Sequence, residues 1–316
     1  MSNSSGKIEW PRVSIVTPSF NQGRFIEETI VSVLEQDYPN LEYIVIDGGS
    51  TDETPEIIAK YQDNIHYWVS EPDRGQSHAL NKGFAQATGD IVAWLNSDDI
   101  YMKNSVGSAV RNMMNSGANI VYSRAKLTTV TGELIRMYEP PEELVFRDML
   151  FMWQRDFVCP PQPSVFMRRH VLDKLGGIDE SLDYAMDYDL WLRAIQEYPF
   201  NFVDDVWSEY RVHNHSKTGQ GFEPFLNEIV RIGKRYTSQL GFIDGLLYRY
   251  FGERALYGKY YLDLAYEASS NDERDLARAH MLRALSENPL LLFRNRGVLK
   301  FTVSLVSGRR TKSNVS

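Results

Sequence analysis

Four aspartates in this 316-residue sequence, Asp47, Asp73, Asp98 and Asp99, follow or stand close to the ends of short apolar runs. Clustered carboxylates are electrostatically costly unless a cation, hydrogen bonds or a charged partner compensates. A divalent metal together with a nucleoside diphosphate meets that need. The adjacent pair Asp98 and Asp99 offers the hard oxygen ligands that Mg²⁺ and Mn²⁺ prefer, and such ions bind through one or two carboxylates plus substrate phosphates. A solvated Asp-Asp turn that only caps a strand is the alternative. A second acidic element, Asp187 and Asp189, precedes the apolar helix stripe of Leu190, Trp191 and Ile195. Capping of that helix is the structural reading, and it suits Asp189 better than Asp187.

The elements that must position these groups alternate along the first half of the chain. The apolar or β-branched runs Val13 to Thr17, Tyr43 to Asp47, His66 to Val69, Ile91 to Leu95 and Asn119 to Tyr122 read as strands. Between them, apolar residues spaced three or four apart (Ile26, Ile30, Val33; Leu80, Phe84) read as helices. The alternation predicts an α/β domain with a mostly parallel sheet and helices on both faces. In such open sheets the ligand crevice lies at the carboxyl ends of the strands. Ser50 and Glu53 fit a capping box for the helix after the second strand, with Asp52 a helix-terminus residue and His78 a structural residue on the first turn of the next helix. Residues 138–163, with two proline pairs, read as a long surface segment, and Ser164 to Arg211 as a further α/β stretch. Beyond Phe222 the pattern is helical, with a hairpin from Ala255 to Ala268 and Glu273 to Ser286.

Composition narrows the class. The chain is 43% hydrophobic and 24% charged, which excludes a disordered or low-complexity protein. One cysteine, Cys159, cannot form an internal disulfide, and a reducing compartment fits best. No apolar stretch approaches the ~20 residues of a bilayer span, and the start lacks the core of a signal peptide. The net charge of −8 is uneven: 32 acids against 19 bases up to Gln220, then 10 against 15. An acidic body is a poor nucleic-acid binder. The motifs GxGxxG after the first strand, GxxxxGK[ST], GxSxG and HExxH are all absent, which removes the main support for dehydrogenase, P-loop, α/β-hydrolase and zincin chemistry.

The ordered set TPSFNQ (17–22), DGGSTDET (47–54), EPDRGQSHALNKG (71–83), GDIVAWLNSDD (89–99) and MDYDLWLR (186–193) resembles the family 2 glycosyltransferases. These are inverting sugar transferases of the GT-A fold that use nucleotide-diphosphate sugars, and the resemblance spans roughly Val13 to Thr218. It implies a GT-A catalytic domain over 10–220, with a nucleotide-sugar-binding part (10–122) and an acceptor and catalytic part (123–220), followed by a helical C-terminal region over 221–316. By residue, it implies that Thr17, Pro18 and Phe20 wall the nucleobase, that Asp47 reads the base edge, and that Asp73 and Gln76 form the next nucleotide-contacting loop. Asp98 resembles the ribose- or phosphate-side member of the acidic motif, Asp99 its metal ligand, and Asp187 the general base that accepts the proton of the incoming hydroxyl. His213, in YRVHNHSKT (210–218), resembles a metal or phosphate contact. Two departures stand out: Asn96 where Asp is frequent, and Met186 where Glu is.

The function so implied is metal-dependent (Mn²⁺ or Mg²⁺) inverting transfer of a sugar to a saccharide or lipid-linked acceptor in O-antigen or capsule synthesis, in the cytoplasm or at the inner face of the plasma membrane. A nucleotidyltransferase or a catalytically inactive sugar-nucleotide-binding protein are the alternatives. The basic, apolar tail over 289–312 fits either a membrane-surface contact or a helix packed on the catalytic domain.

Overall fold

The computed structural model describes residues 9–152, 158–213, 222–294 and 296–307. The chain divides into two compact units, Met1–Leu150 with Phe157–Gly221, and Phe151–Asp156 with Phe222–Ser316.

The first unit is built on a nine-stranded sheet. Strands β1 (Val13–Ser19), β2 (Leu41–Asp47), β3 (Tyr67–Ser70) and β4 (Ile91–Trp94) form its parallel half in the order β3-β2-β1-β4. All seven residues of β1 are buried, as expected of a parallel strand covered on both faces. The other half is mixed. Strand β8 (Val165–Arg168) runs antiparallel to both β4 and β6 (Ile120–Thr128), and β9 (Phe200–Arg211) is parallel to β6. Two short strands complete the sheet, β5 (Ile100–Tyr101) against β9 and β7 (Leu134–Tyr138) against β6. β5 has only two residues, and β7, although apolar in sequence, has its first three residues exposed.

Helices cover both faces for a reason visible in the strand alternation. Val13 and Ile15 of β1 join a core with Ile26, Ile30 and Val33 of α1 (Ile26–Leu34), Ile57 and Ile58 of α2 (Thr54–Lys60) and Val106 and Val110 of α4 (Ser105–Ser116). Val16 points the other way, against α3 (Gln76–Gln86). There the backbone of Gly83 comes so near that an added Cβ would lie 2.3 Å from Val16 Cγ1. Helix α7 (Met186–Ile195) docks through Trp191, whose indole stacks on that of Trp94 in β4 with centroids 5.5 Å apart. Residues 138–163 are less of a surface segment than the prolines suggest. They contain α5 (Phe146–Leu150), whose Met149 and Leu150 are buried, and Tyr188 of α7 donates to the Met149 carbonyl at 3.2 Å. Helix α6 (Arg169–Leu175) ends at Gly176, which has φ +75°.

The second unit is helical: α8 (Phe222–Tyr236), α9 (Phe242–Leu247), a π-helical turn (Tyr248–Gly252), α10 (Glu253–Ser270), α11 (Arg274–Glu287), α12 (Leu291–Arg294) and α13 (Arg296–Ser307). Its core joins Tyr261 and Ala265 of α10, Ala277 and Met281 of α11, Leu291 of α12, and Val298 and Leu305 of α13. Within this unit one face of α13 packs on the helical hairpin, through Val298 and Leu305. Arg309, Arg310 and Lys312 lie outside the described residues.

Candidate active site

The strand ends of the parallel half hold most of the predicted residues, but they divide into groups that face outward and groups that are sealed. Phe20, directly after β1, is 58% exposed and so is not part of the core. Thr17 and Pro18 beside it are buried, and the Thr17 hydroxyl accepts from Tyr43 at 3.1 Å.

Asp47 is also fully buried. Its carboxylate accepts from the Ser50 N–H at 2.9 Å, the Ser50 hydroxyl at 2.5 Å and the Ser70 hydroxyl at 2.6 Å. Ser50 in turn accepts from the Asn21 N–H at 2.7 Å. Asp47 therefore ties together the ends of β1, β2 and β3. Ser50 is committed to this knot and does not cap α2. Asp52, just before α2, accepts from the Thr54 N–H at 3.1 Å and from the Gly23 N–H at 3.0 Å. Burial pushes the Asp52 carboxyl up, but its hydrogen bonds from Thr54 and Gly23 outweigh this and leave it below the ordinary value.

Asp73 is half-buried and accepts from the Gly75 N–H at 2.8 Å, which shapes the turn into α3. The loops after β2 and β3 meet closely at Gly49, which has φ +82° and where an added Cβ would lie 3.1 Å from the Pro72 nitrogen. His78 accepts from the Arg74 N–H at 3.2 Å, a structural contact within the same turn. Gln76, at the start of α3, donates to Asn96 Oδ1 at 2.7 Å.

Asn96 is the hub of the acidic loop. Its amide nitrogen donates to Asp99 Oδ2 at 3.3 Å and to Gln162 Oε1 at 3.1 Å, while Gln162 donates to the Trp94 carbonyl at 2.8 Å. Thr29 of α1 supports the loop by donating to the carbonyls of Ser97 and Asp99 at 3.0 and 2.8 Å.

The two carboxylates of this loop are in opposite situations. Asp99 is 1% exposed and accepts from the Arg211 N–H at 3.2 Å as well as from Asn96. Burial, and then the charge of Asp98, push its carboxyl well above the usual carboxylate range. Asp98 is half-buried, and its Oδ2 lies 3.1 Å from Nε2 of His213. The His213 ring stacks on Phe25 with centroids 4.5 Å apart. The expected ligand Asp99 is thus sealed behind the loop, whereas Asp98 and His213 stand together. One carboxylate and one imidazole form a donor set that Mn²⁺ accepts, the remaining positions falling to phosphate oxygens and water. Among the described residues no group of three or more His, Cys, Asp or Glu is arranged to hold a metal. Residues 214–218 of the predicted closing segment, His215 included, lie outside the described residues.

Asp187 sits in the first turn of α7, four residues before Trp191 and so on the face that Trp191 docks against the sheet. It is half-buried, beside Tyr138 and Cys159: burial foremost, then Cys159 and Asp187, push the Tyr138 phenol well above its usual range. Asp189 is buried and paired with Arg193 at 2.8 Å. That arginine also donates to the carbonyls of Leu175 and Gly177. Asp189 therefore braces the turn after α6 and does not cap α7. A groove of 680 Å³ beside α1 and β5 contains none of the predicted site residues. Gln162, Arg211 and Phe25 belong to the site and have no sequence signal beyond lying near prolines or motif ends.

Residues 14–176 match the family model of glycosyl transferase family 2, and the chain belongs to that family. It is 32% identical over 217 residues to an uncharacterised glycosyltransferase of Rickettsia typhi, covering 66% of each chain. To one of Rickettsia felis it is 30% identical over 213 residues, covering 65% of this chain and 35% of that one, so it spans about a third of that relative's length. It is 35% identical over 144 residues, 44% of this chain and 57% of the relative, to a putative teichuronic acid biosynthesis glycosyltransferase, TuaG, of Bacillus subtilis. Two solved structures share the fold, which is GT-A. They are Staphylococcus aureus TarS 1-349 in complex with UDP (TM-score 0.57, 16% identity, 96% of this chain and 94% of that one) and the mannosyltransferase PcManGT of Pyrobaculum calidifontis in complex with GDP-Man and Mn²⁺ (TM-score 0.58, 17%, 96% and 88%).

Proposed function

We propose that the chain transfers a sugar from a nucleotide-diphosphate sugar to an acceptor hydroxyl with inversion. The observation that carries this is the pairing of Asp98 with His213 at the end of the parallel sheet, in a family 2 chain that supplies a separate carboxylate, Asp187, from the docked helix α7. In this reading the metal ligands are Asp98 and His213, Asp99 being committed behind the loop. Phe20 stacks on the base, and Asp73 and Gln76 form the neighbouring wall. Thr17, Pro18 and Asp47 position that wall from behind.

Asp187 accepts the proton of the acceptor hydroxyl, which attacks the anomeric carbon from the face opposite the diphosphate; general-base assistance of this kind is worth ~10²–10⁴-fold. A bound divalent cation neutralises charge on the departing diphosphate. A single base on the acceptor side leaves no covalent intermediate to form, so an α-linked donor gives a β-linked product.

The acceptor we infer is a saccharide or lipid-linked saccharide of a surface polysaccharide, a reading supported by the name of the TuaG relative. No helix among the described residues is long and apolar enough to cross a membrane. Contact with a membrane surface through 289–312 would use the outer side of α13, where Leu299 and Val303 are exposed beside Lys300.

The test is thermal shift against UDP-, GDP- and dTDP-sugars with and without Mn²⁺, since only a cognate ligand stabilises the folded state by mass action. It is followed by proton NMR of the product's anomeric signal. Stabilisation by no sugar nucleotide overturns the reading, and a retained configuration overturns the single displacement.

A further inference from the structure

We propose that Arg211 is a positioning residue for the cation site, fixing Asp98 and His213 relative to each other from behind. This rests on the reading of Asp98 and His213 as the metal pair.

The Arg211 side chain is 2% exposed and bridges three segments. Its Nε donates to the Asp98 carbonyl and its Nη1 to the Glu28 carboxylate, while Nη2 reaches the Phe25 carbonyl at 3.4 Å. Its backbone N–H donates to Asp99. The guanidinium lies 5.1 Å from the centroid of the Phe25 ring, the same ring on which His213 stacks. An arginine this deeply buried needs its donors satisfied. Here only one partner is charged, and Glu28 is itself 65% exposed. The other side-chain donors go to main-chain carbonyls on the acidic loop and at the start of α1.

The consequence is geometric. Arg211 is the last residue of β9, two before His213, so one side chain holds the main chain of one member of the pair and fixes the exit of the strand that delivers the other. Lysine could reach Glu28 but, as a point charge on a flexible stem, could not hold the carboxylate and two carbonyls in one plane. Residues that orient metal ligands in this way typically carry ~10–100-fold in metal affinity.

The experiment is titration of the full chain with Mn²⁺ alone, followed by the EPR signal of the free ion, with a melting temperature for each variant. Arg211→Met and Asp98→Asn are each expected to lose about tenfold or more in Mn²⁺ affinity, Arg211→Lys to recover part of it, and Glu28→Gln to lose roughly two- to fivefold with its melting temperature unchanged. If Arg211→Met does not fold, Arg211→Lys and Glu28→Gln decide the matter. Wild-type affinity in both overturns the proposal, as does a loss of affinity that merely follows loss of melting temperature across the series. Affinity lost in Asp98→Asn but kept in the Arg211 variants defeats the positioning role alone. Affinity unchanged in Asp98→Asn defeats the metal assignment, and the positioning role with it.

Discussion

At the residue scale, Phe20 and Asp187 separate recognition from chemistry. Phe20→Ala should leave the melting temperature within about a degree, because the ring buries little against the protein. It should weaken donor binding by ~1–3 kcal/mol, the usual worth of an aromatic under a base; calorimetry with the cognate nucleotide sugar checks both halves. Asp187→Asn removes a proton acceptor without changing shape. Turnover should fall ~10²-fold or more while donor affinity stays near wild type, and a variant retaining a tenth of its turnover would show that another group takes the proton. Asn96 explains its own departure from the common acidic form: it donates to Asp99 and Gln162 and accepts from Gln76. An ionised aspartate could not donate and would add a further negative charge beside Asp98.

At the element scale, the parallel strands are held at their amino ends by a charge that the pattern of β2 hides. Glu42 is buried opposite Ser14, accepts from the Ser14 hydroxyl and from the Thr88 N–H and hydroxyl at 2.7 and 2.8 Å, and pairs with Arg12 at 3.1 Å. Burial alone would raise its carboxyl, but the bonds from Ser14 and Thr88 and the Arg12 charge outweigh that and hold it below its ordinary value of 4.5. A depressed value in the folded chain means that Glu42 stabilises the fold above the unfolded value and loses that contribution as pH falls through the folded one. Glu42→Gln should therefore cost ~1–3 kcal/mol at pH 7, and the gap to wild type should close below the ordinary value in denaturation curves run from pH 7 to pH 3. A gap independent of pH would mean that the cost is one of packing, not charge.

At the scale of the whole molecule, the basic excess after Gln220 belongs to a unit with its own core. Leu291, Val298 and Leu305 are buried there, and full burial of such side chains is worth ~1.5–3 kcal/mol each. A chain ending at Asn288 should therefore unfold its helical unit at lower temperature, read by calorimetry as a shifted transition. The double variant Leu299→Ser/Val303→Ser, on the exposed side of α13, should not shift it. That double variant, not the truncation, is the clean probe for co-sedimentation with anionic liposomes at low and high salt, because it keeps the helical core intact.

The sequence by itself determined the parallel strands from Val13 to Trp94, the helices between them, the crevice at their carboxyl ends and the family. Each of these is written in local periodicity or in contiguous motifs, and parallel strands buried on both faces read as unbroken apolar runs. Which carboxylates face outward was decided only by the tertiary structure. Asp47 and Asp99 carry the same chemistry and the same strand-end placement as Asp73 and Asp98, yet Ser50 with Ser70, and Asn96 with the Arg211 backbone, turn them inward. Their partners stand 3, 23, 3 and 112 positions away. The two partners 3 positions away are local, but a spacing rule cannot find the other two, because the pairing of β2 with β3 brings Ser70 to Asp47 and β9 brings Arg211 to the acidic loop.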